Sequence, residues 1–472
     1  MIVDVKDLIV VLPGIMGSVL EKNGRVIWNI SGKSFLKSIT SSEDLILQSD
    51  DHDDGVVATK IMEDFHIVPG IIKILDGYTK LQEQLLDGSL RLYPQSPNNQ
   101  DLVNYYEFPY DWRRDNRISA QKLKQFIDER LENWRRQSEH KDAQVIILAH
   151  SMGGLVSRYY LEVLEGWRDC RALITFGTPY RGSVKAISAI VEGYNVAVFN
   201  FSEAVRSFTS VYQLLPIYEM FKTNGGYRRI SEVDGIPNLD RERAVKAREF
   251  HQEIINNAEK NRRHDDWKTN GYVVLPFVGT RQSTYQSASL IDGQLQMSYN
   301  PPSSLPPELA DGDDTVPRIS AIPVEMEYQD YYNTFFPCHH GEIQANKNVL
   351  DLLKERIGQM QSQIDLSGFK GAERSAKAEA QIAFNLSVKD LYLSANPIEI
   401  YGQIINAEPS VTQLIAQIIP KTTQGEPITV ELQPDGDYWK ATVENLAAGV
   451  YEVQLSTPEI EVTPVRDLFE VA

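Results

Sequence analysis

Cysteine is scarce in this sequence: Cys170 and Cys338 are the only two in 472 residues. Two thiols cannot build a disulfide framework, and such sparing use suits a reducing compartment, so a cytoplasmic location is expected. They cannot supply a metal site either, and neither a metal nor an organic cofactor is expected. Long apolar runs are missing too. None approaches the ~20 residues that cross a bilayer, and the short N-terminal run Leu8–Leu12 passes straight into Pro13-Gly14, which is a strand ending in a turn and not a signal segment. Positive charge is in deficit, with 47 Lys and Arg against 65 Asp and Glu and a net charge of -18. That balance disfavours nucleic acid and anionic membranes and leaves neutral or zwitterionic partners open.

What is present is ordinary for a globular chain, 42% apolar and 24% charged, and long enough for two domains. Apolar strands at Leu8–Leu12, Asn104–Phe108, Val145–His150, Ala172–Phe176 and Tyr272–Val278 alternate with helical patterns at Gly77–Asp87 and Ile118–Gln137. This alternation predicts an α/β domain with a mainly parallel sheet over residues 1–365. From about 181 to 270 it lapses into a helical cap insertion. The cap's apolar residues Val196, Val198, Phe199, Phe201, Phe208, Val211, Tyr212, Leu214 and Leu215 suit either its own core or a lipid-facing wall. Residues 22–70 read as irregular, with Asp50, Asp51, His52, Asp53 and Asp54 as a solvated acidic loop lacking calcium-loop spacing. A linker is expected at 366–380. Short alternating runs after it, separated by turns such as Pro434-Asp-Gly436, predict an immunoglobulin-like β-sandwich over 381–472 whose protein partner is unknown.

The chemistry centres on Ala149-His-Ser151-Met-Gly153, between a strand and a helix. Small residues on both sides of a serine at such a turn fit a nucleophile elbow, where strand and helix approach closely and the hydroxyl stands exposed. The competing reading is a serine that merely caps the helix. A serine nucleophile needs a base, and the base an orienting acid, in the chain order Ser, acid, His. Asp313 in Asp311-Gly-Asp-Asp-Thr-Val316 and His340 in His339-His-Gly-Glu342 satisfy that order. Asp314 and His339 are their rivals. His52, His66, His140, His251 and His264 stand too early in the chain, and His150 should point away from the serine. The oxyanion donors are expected to be the amides of Met152, at the helix start, and Ile15, in the turn after the first strand.

Six motifs occur in order: Pro13-Gly-Ile-Met-Gly-Ser18, Pro109-Tyr-Asp-Trp-Arg113, Ala149-His-Ser-Met-Gly-Gly154, Phe176-Gly-Thr-Pro179, Gly312-Asp-Asp-Thr-Val316 and the His340 loop. Together, over roughly residues 7–357, they resemble the lecithin:cholesterol acyltransferase family of α/β-hydrolases. The resemblance implies acyl-ester chemistry on lipids, with Ser151 as nucleophile, Asp313 as the acid, His340 as the base and Ile15 in the oxyanion loop. It implies a lipid substrate, with transient contact of the cap with a membrane surface. It also implies a bracing role for Asp111 and Arg113. The sandwich after residue 380 lies outside it. The alternatives are an esterase or thioesterase for soluble short acyl esters and a catalytically silent scaffold.

Overall fold

Six strands, β1 (Leu8–Leu12), β2 (Tyr105–Glu107), β3 (Val145–His150), β4 (Cys170–Phe176), β5 (Val273–Thr280) and β6 (Phe335–Pro337), form one sheet in the order β6-β5-β4-β3-β1-β2. Every neighbouring pair is parallel. The structure is a computed structural model and describes residues 2–30, 32, 43–68, 72–95, 102–193, 195–196, 199–267, 271–326, 334–362, 382–406, 411–460 and 462–472. β1 and β3 are buried at every position, as expected of parallel strands covered on both faces. Their alternate residues feed two cores. Leu8, Val10, Leu12, Val145 and Ile147 pack with Leu123, Ile127 and Leu155, whereas Ile9, Val11, Ile146 and Leu148 pack with Leu350, Leu353 and Ile357. The helices follow from that division: α1 (Asn116–Gln137) and α2 (Met152–Glu162) lie on one face and α5 (Lys347–Gln361) on the other, while α3 (Lys185–Val191) and α4 (Arg241–Arg262) belong to the cap. Asp115 starts α1 by accepting the Arg117 amide at 2.8 Å.

Two expectations about residues 22–70 need correction. Ser18–Lys22, Arg25–Trp28 and Val56–Ile61 form a three-stranded antiparallel sheet, with Asn23 and Gly24 turning the first hairpin at φ 52° and 76°. An Asn-Gly pair at positive φ is the preferred two-residue hairpin turn. The acidic loop is not simply solvated. Asp54 takes the guanidinium groups of Arg113 and Arg114 at 2.9 and 2.8 Å, and Asp50 accepts the Asp115 amide at 2.8 Å. Only Asp51, His52 and Asp53 face water.

In the cap, Phe201, Phe208, Tyr212 and Leu215 are buried in the larger core, so these residues serve its packing. Val211 and Leu214 also line the slot described below. Val198 and the side chains of Val196 and Phe199 lie outside the described residues.

Eight strands form the C-terminal part: β7 (Ala383–Val388), β8 (Leu391–Tyr392), β9 (Ile398–Ile405), β10 (Leu414–Pro420), β11 (Ile428–Asp435), β12 (Tyr438–Val443), β13 (Gly449–Ser456) and β14 (Val465–Val471). Their order is β7-β9-β12-β11-β10-β13-β14-β8. β11 pairs with β10 through its first half and with β12 through its last residues, so it passes from one sheet to the other. The two sheets enclose Phe384, Ile400, Leu414, Ile418, Leu432, Val453 and Phe469. The pairing is that of an immunoglobulin-like sandwich. Tyr451, near the start of β13, donates its hydroxyl to the Ala447 carbonyl at 2.8 Å, the tyrosine corner of such folds. The expected linker at 366–380 lies outside the described residues.

Candidate active site

Ser151 sits where β3 ends and α2 begins, with φ 51° and ψ -125°. A non-glycine residue at positive φ is strained, and the turn around it leaves no room for alternatives. A Cβ on Gly153 would stand 2.5 Å from the Pro13 carbonyl oxygen, and one on Gly154 would stand 2.0 Å from Thr178 Oγ1. Thr178 in turn donates its hydroxyl to the Ser151 carbonyl at 2.9 Å. Although Ser151 occupies the helix-cap position, its side chain makes no capping hydrogen bond. The hydroxyl is instead 2.9 Å from His340 Nε2.

His340 Nδ1 is 2.8 Å from Asp313 Oδ2. The structure therefore brings together Ser151, His340 and Asp313, three residues from separate parts of the chain, all buried. Asp313 is fixed by its own loop, its Oδ1 accepting the amides of Thr315 at 3.0 Å and Val316 at 2.6 Å. Its carbonyl accepts the His340 amide at 2.7 Å, which joins the acid and histidine loops directly. Gly177, at φ 59°, lies under the pair, where a Cβ would come within 2.9 Å of both Asp313 Oδ2 and His340 Nδ1. With one ring nitrogen facing a carboxylate and the other a hydroxyl, the imidazole can take the serine proton.

The rival residues point elsewhere. Asp314 turns to Lys185, 3.4 Å away. Burial pushes its carboxyl up, but Lys185, then Lys73 and His339, outweigh that and hold it at about 2. His339 is buried and neither ring nitrogen has a hydrogen-bond partner among the described residues. His150 points away from the serine, with Nδ1 2.9 Å from the Tyr78 hydroxyl and Nε2 3.2 Å from the His340 carbonyl. The carbonyl must accept, so Nε2 carries the proton and the Tyr78 hydroxyl donates to Nδ1. The same hydroxyl accepts the Gly14 amide at 2.8 Å.

Ile15 and Met152 flank the serine. Met152 opens α2, where the first amides of a helix have no partner within it, and Ile15 lies beside Ser151 in the wall of the slot. The turn carrying Ile15 is braced by the Tyr110-Asp-Trp-Arg113 segment. Tyr110 donates to the Pro13 carbonyl at 2.9 Å and Trp112 to the Ser18 carbonyl at 3.0 Å. Asp111 pairs with Arg113 at 2.7 Å, and Trp112 meets Trp28 edge to face. Tyr110 and Trp112 thus touch the turn that carries Ile15, and none of the four residues lines the slot.

The slot above Ser151 is lined by Ile15, Met16, Ala186, Val205, Val211, Leu214 and Val316, with a cavity volume of about 50 Å³. Sequence reasoning missed Tyr78, Thr178 and Lys185. Lys185 is the one lysine or arginine among the described residues lining the slot. Burial would lower its ammonium, but Asp314 holds it above its usual range. A lysine six residues beyond the Pro179 motif of an apolar cap was a signal in principle, since it stands alone among Val, Ala and Ile.

The sequence pattern of the lecithin:cholesterol acyltransferase family matches residues 99–277, a stretch that holds Ser151, Met152 and the Pro109–Arg113 segment but neither Asp313 nor His340. The chain is thus similar to that family in sequence as well as in its separate motifs. No curated protein matches it. Among solved structures, the mature form of the Bacillus licheniformis lipase BlEst2 is 13% identical, over 75% of this chain and 92% of that one, with a TM-score of 0.36. Its propeptide form is 11% identical, over 98% and 92%, with a TM-score of 0.37. No helix among the described residues is long and apolar enough to cross a membrane.

Proposed function

We propose that this chain, similar to the lecithin:cholesterol acyltransferase family over residues 99–277, is a serine acyl-ester hydrolase or O-acyltransferase acting on lipid esters, phospholipids foremost. The reading is carried by one observation: Ser151 Oγ, His340 Nε2, His340 Nδ1 and Asp313 Oδ2 are linked by contacts of 2.9 and 2.8 Å at the foot of an apolar slot. His340 takes the Ser151 proton as Oγ attacks the ester carbonyl. The amides of Ile15 and Met152 receive the oxyanion, a contribution of about 3 kcal/mol per donor in comparable sites. His340 then gives its proton to the leaving alcohol, and the acyl group stays on Ser151 until water or a second alcohol removes it. Asp313 keeps the imidazole in the tautomer that this cycle needs.

Two features favour a lipid. The slot wall is apolar, and Lys185 sets a cation beside it that suits the phosphate of a zwitterionic head group. A volume of about 50 Å³ holds one or two waters at roughly 30 Å³ each. An acyl chain therefore enters as the cap side chains move aside, most readily at a lipid surface. Cys170 and Cys338 are free and buried, which fits work in a reducing compartment such as the cytoplasm.

The test is lipid mass spectrometry on phosphatidylcholine vesicles incubated with the protein or with Ser151→Ala, with and without a sterol or diglyceride. Free fatty acid and lysolipid from the wild type alone support the hydrolase, and a newly acylated sterol or glyceride supports the transferase. Turnover of p-nitrophenyl butyrate without any lipid product would shift the reading to a soluble esterase. Ser151→Ala is expected to lose at least about 10⁴-fold in rate.

A further inference from the structure

The C-terminal sandwich touches the loop that carries His340 and, through Gln282, is joined to the loop that carries Asp313. Arg466, on β14, donates Nε to Glu342 Oε1 at 3.1 Å and its backbone amide to Glu342 Oε2 at 3.3 Å. Glu342 is two residues beyond His340, is 2% exposed, and donates its own amide to the His339 carbonyl at 3.0 Å. The Arg466 guanidinium also reaches Asp76 at 2.9 Å and lies 3.8 Å from Glu452 of β13. Burial pushes the Glu342 carboxyl up, and Arg466 is the main group opposing it. Without that arginine, a buried carboxylate beside the catalytic histidine has lost its principal counter-charge.

A second tie reaches the acid loop. Gln282 Nε2 donates to the Phe384 carbonyl at 2.9 Å and Gln282 Oε1 accepts the Leu386 amide at 3.1 Å, so one side-chain amide completes the edge of β7. The Gln282 backbone pairs with Gly312, the residue before Asp313, through bonds of 3.0 and 3.3 Å. Between the two ties, Lys73 is buried against Asp467 of β14 at 2.6 Å and Asp390 at 3.0 Å. The Lys73 carbonyl lies so near Gly341 that a Cβ there would come within 1.5 Å of it.

We propose that the immunoglobulin-like sandwich is a working part of the catalytic site, with Arg466 as a positioning residue for His340 through Glu342 and Gln282 as the joint that seats the Asp313 loop on β7. This rests on reading Ser151, Asp313 and His340 as the triad. The sandwich clamps the two loops from outside and fixes the distance between them, while the serine turn, held by its own strand and helix, needs no such support.

The test is the labelling of Ser151 in the full chain by a fluorophosphonate, followed to completion. The rate reports how well His340 is placed, and the final stoichiometry reports how much protein is folded. A purely structural role lowers the stoichiometry and leaves the rate. Arg466→Met is expected to label about tenfold to a hundredfold more slowly, the scale on which a displacement under 1 Å acts, with stoichiometry near one label per chain. Arg466→Lys should fall between wild type and Arg466→Met, because it keeps a cation near Glu342 but loses the fork that spans Glu342 and Asp76. Gln282→Met should slow labelling by about fivefold, since β7 keeps its other contacts. Wild-type rates in both Arg466→Met and Gln282→Met overturn the proposal. If Arg466→Met does not fold, Glu342→Gln decides, since it keeps the volume and removes the charge: slower labelling supports the clamp and an unchanged rate refutes it. A wild-type protein that takes no label removes the triad reading and the proposal together, whereas a label on wild type and none on Ser151→Ala leaves the first standing whatever the clamp variants do.

Discussion

The serine turn and the two loops that face it are held in different ways. Ser151 is fixed by its neighbours in the chain: β3 before it, α2 after it, and Gly153 and Gly154 where no larger side chain fits. Asp313 has local bonds to the Thr315 and Val316 amides, but its loop and that of His340 are also tied from farther away, by Gln282, Lys73 and Arg466. The serine turn is thus encoded locally, and the placing of His340 and Asp313 beside it depends on tertiary contacts.

The harshest way to break the comparison is to spoil the local side. In Gly153→Ala the new methyl would meet the Pro13 carbonyl at 2.5 Å, a backbone atom that cannot swing aside. Either α2 shifts or the turn carrying Ile15 does, and both disturb the expected oxyanion donors. The expected result is a loss of about 3 kcal/mol of stability, read from urea midpoints, with at least about a hundredfold loss in labelling rate. A folded, active Gly153→Ala would show the turn to be far more yielding than its geometry implies.

The cap sharpens the comparison through pH. His251 of α4 is buried and donates Nε2–H to the Gln213 carbonyl at 2.7 Å. Burial, the largest influence, lowers its pKa from 6.5 to about 4. Between those values the unfolded chain binds the proton and the folded chain does not, so stability rises with pH across that window and is lost as pH falls through it. The contribution is about 3 kcal/mol when complete. Unfolding midpoints at pH 7 and pH 4.5 should differ accordingly, and His251→Gln should flatten the difference. If the slope persists in His251→Gln, the acid sensitivity belongs to some other group and the cap is not its source.

Periodicity and turn chemistry exposed the parallel sheet, since β1 and β3 have no solvent face to confuse the pattern. The serine, acid and histidine followed from chain order. What was missed depends on contacts between distant segments. The sheet formed by Ser18–Lys22, Arg25–Trp28 and Val56–Ile61 closes across a long excursion, although Asn23-Gly24 marked its first hairpin. β10 lies inside the sandwich and β14 carries Arg466, whose partner Glu342 stands 124 residues earlier in the chain. Asp54 reads as solvated until Arg113 and Arg114 fold over it. Tyr78 follows a glycine in an unremarkable helical approach, and nothing in its sequence setting announces that its hydroxyl reaches both Gly14 and His150.

That hydroxyl gives the subtlest test, because it joins the locally held side to the distantly held one. Tyr78 accepts the Gly14 amide, donates to His150, and through His150 Nε2 touches the His340 carbonyl. In Tyr78→Phe the Gly14 amide and His150 Nδ1 lose a buried partner while the ring packing stays. A buried polar group left without its bond costs about 1–3 kcal/mol, part of which relaxation recovers. The expected result is about 1–2 kcal/mol of lost stability and about a tenfold fall in kcat on a p-nitrophenyl ester, with KM unchanged, since the groups affected support the turn carrying Ile15 and the His340 carbonyl and do not line the slot. An unchanged kcat would mean that Tyr110 and Trp112, with their bonds to Pro13 and Ser18, hold the turn carrying Ile15 without help. The turn would then depend on the Tyr110–Arg113 segment as closely as Ser151 depends on β3 and α2, and only the acid and histidine loops would rely on the sandwich.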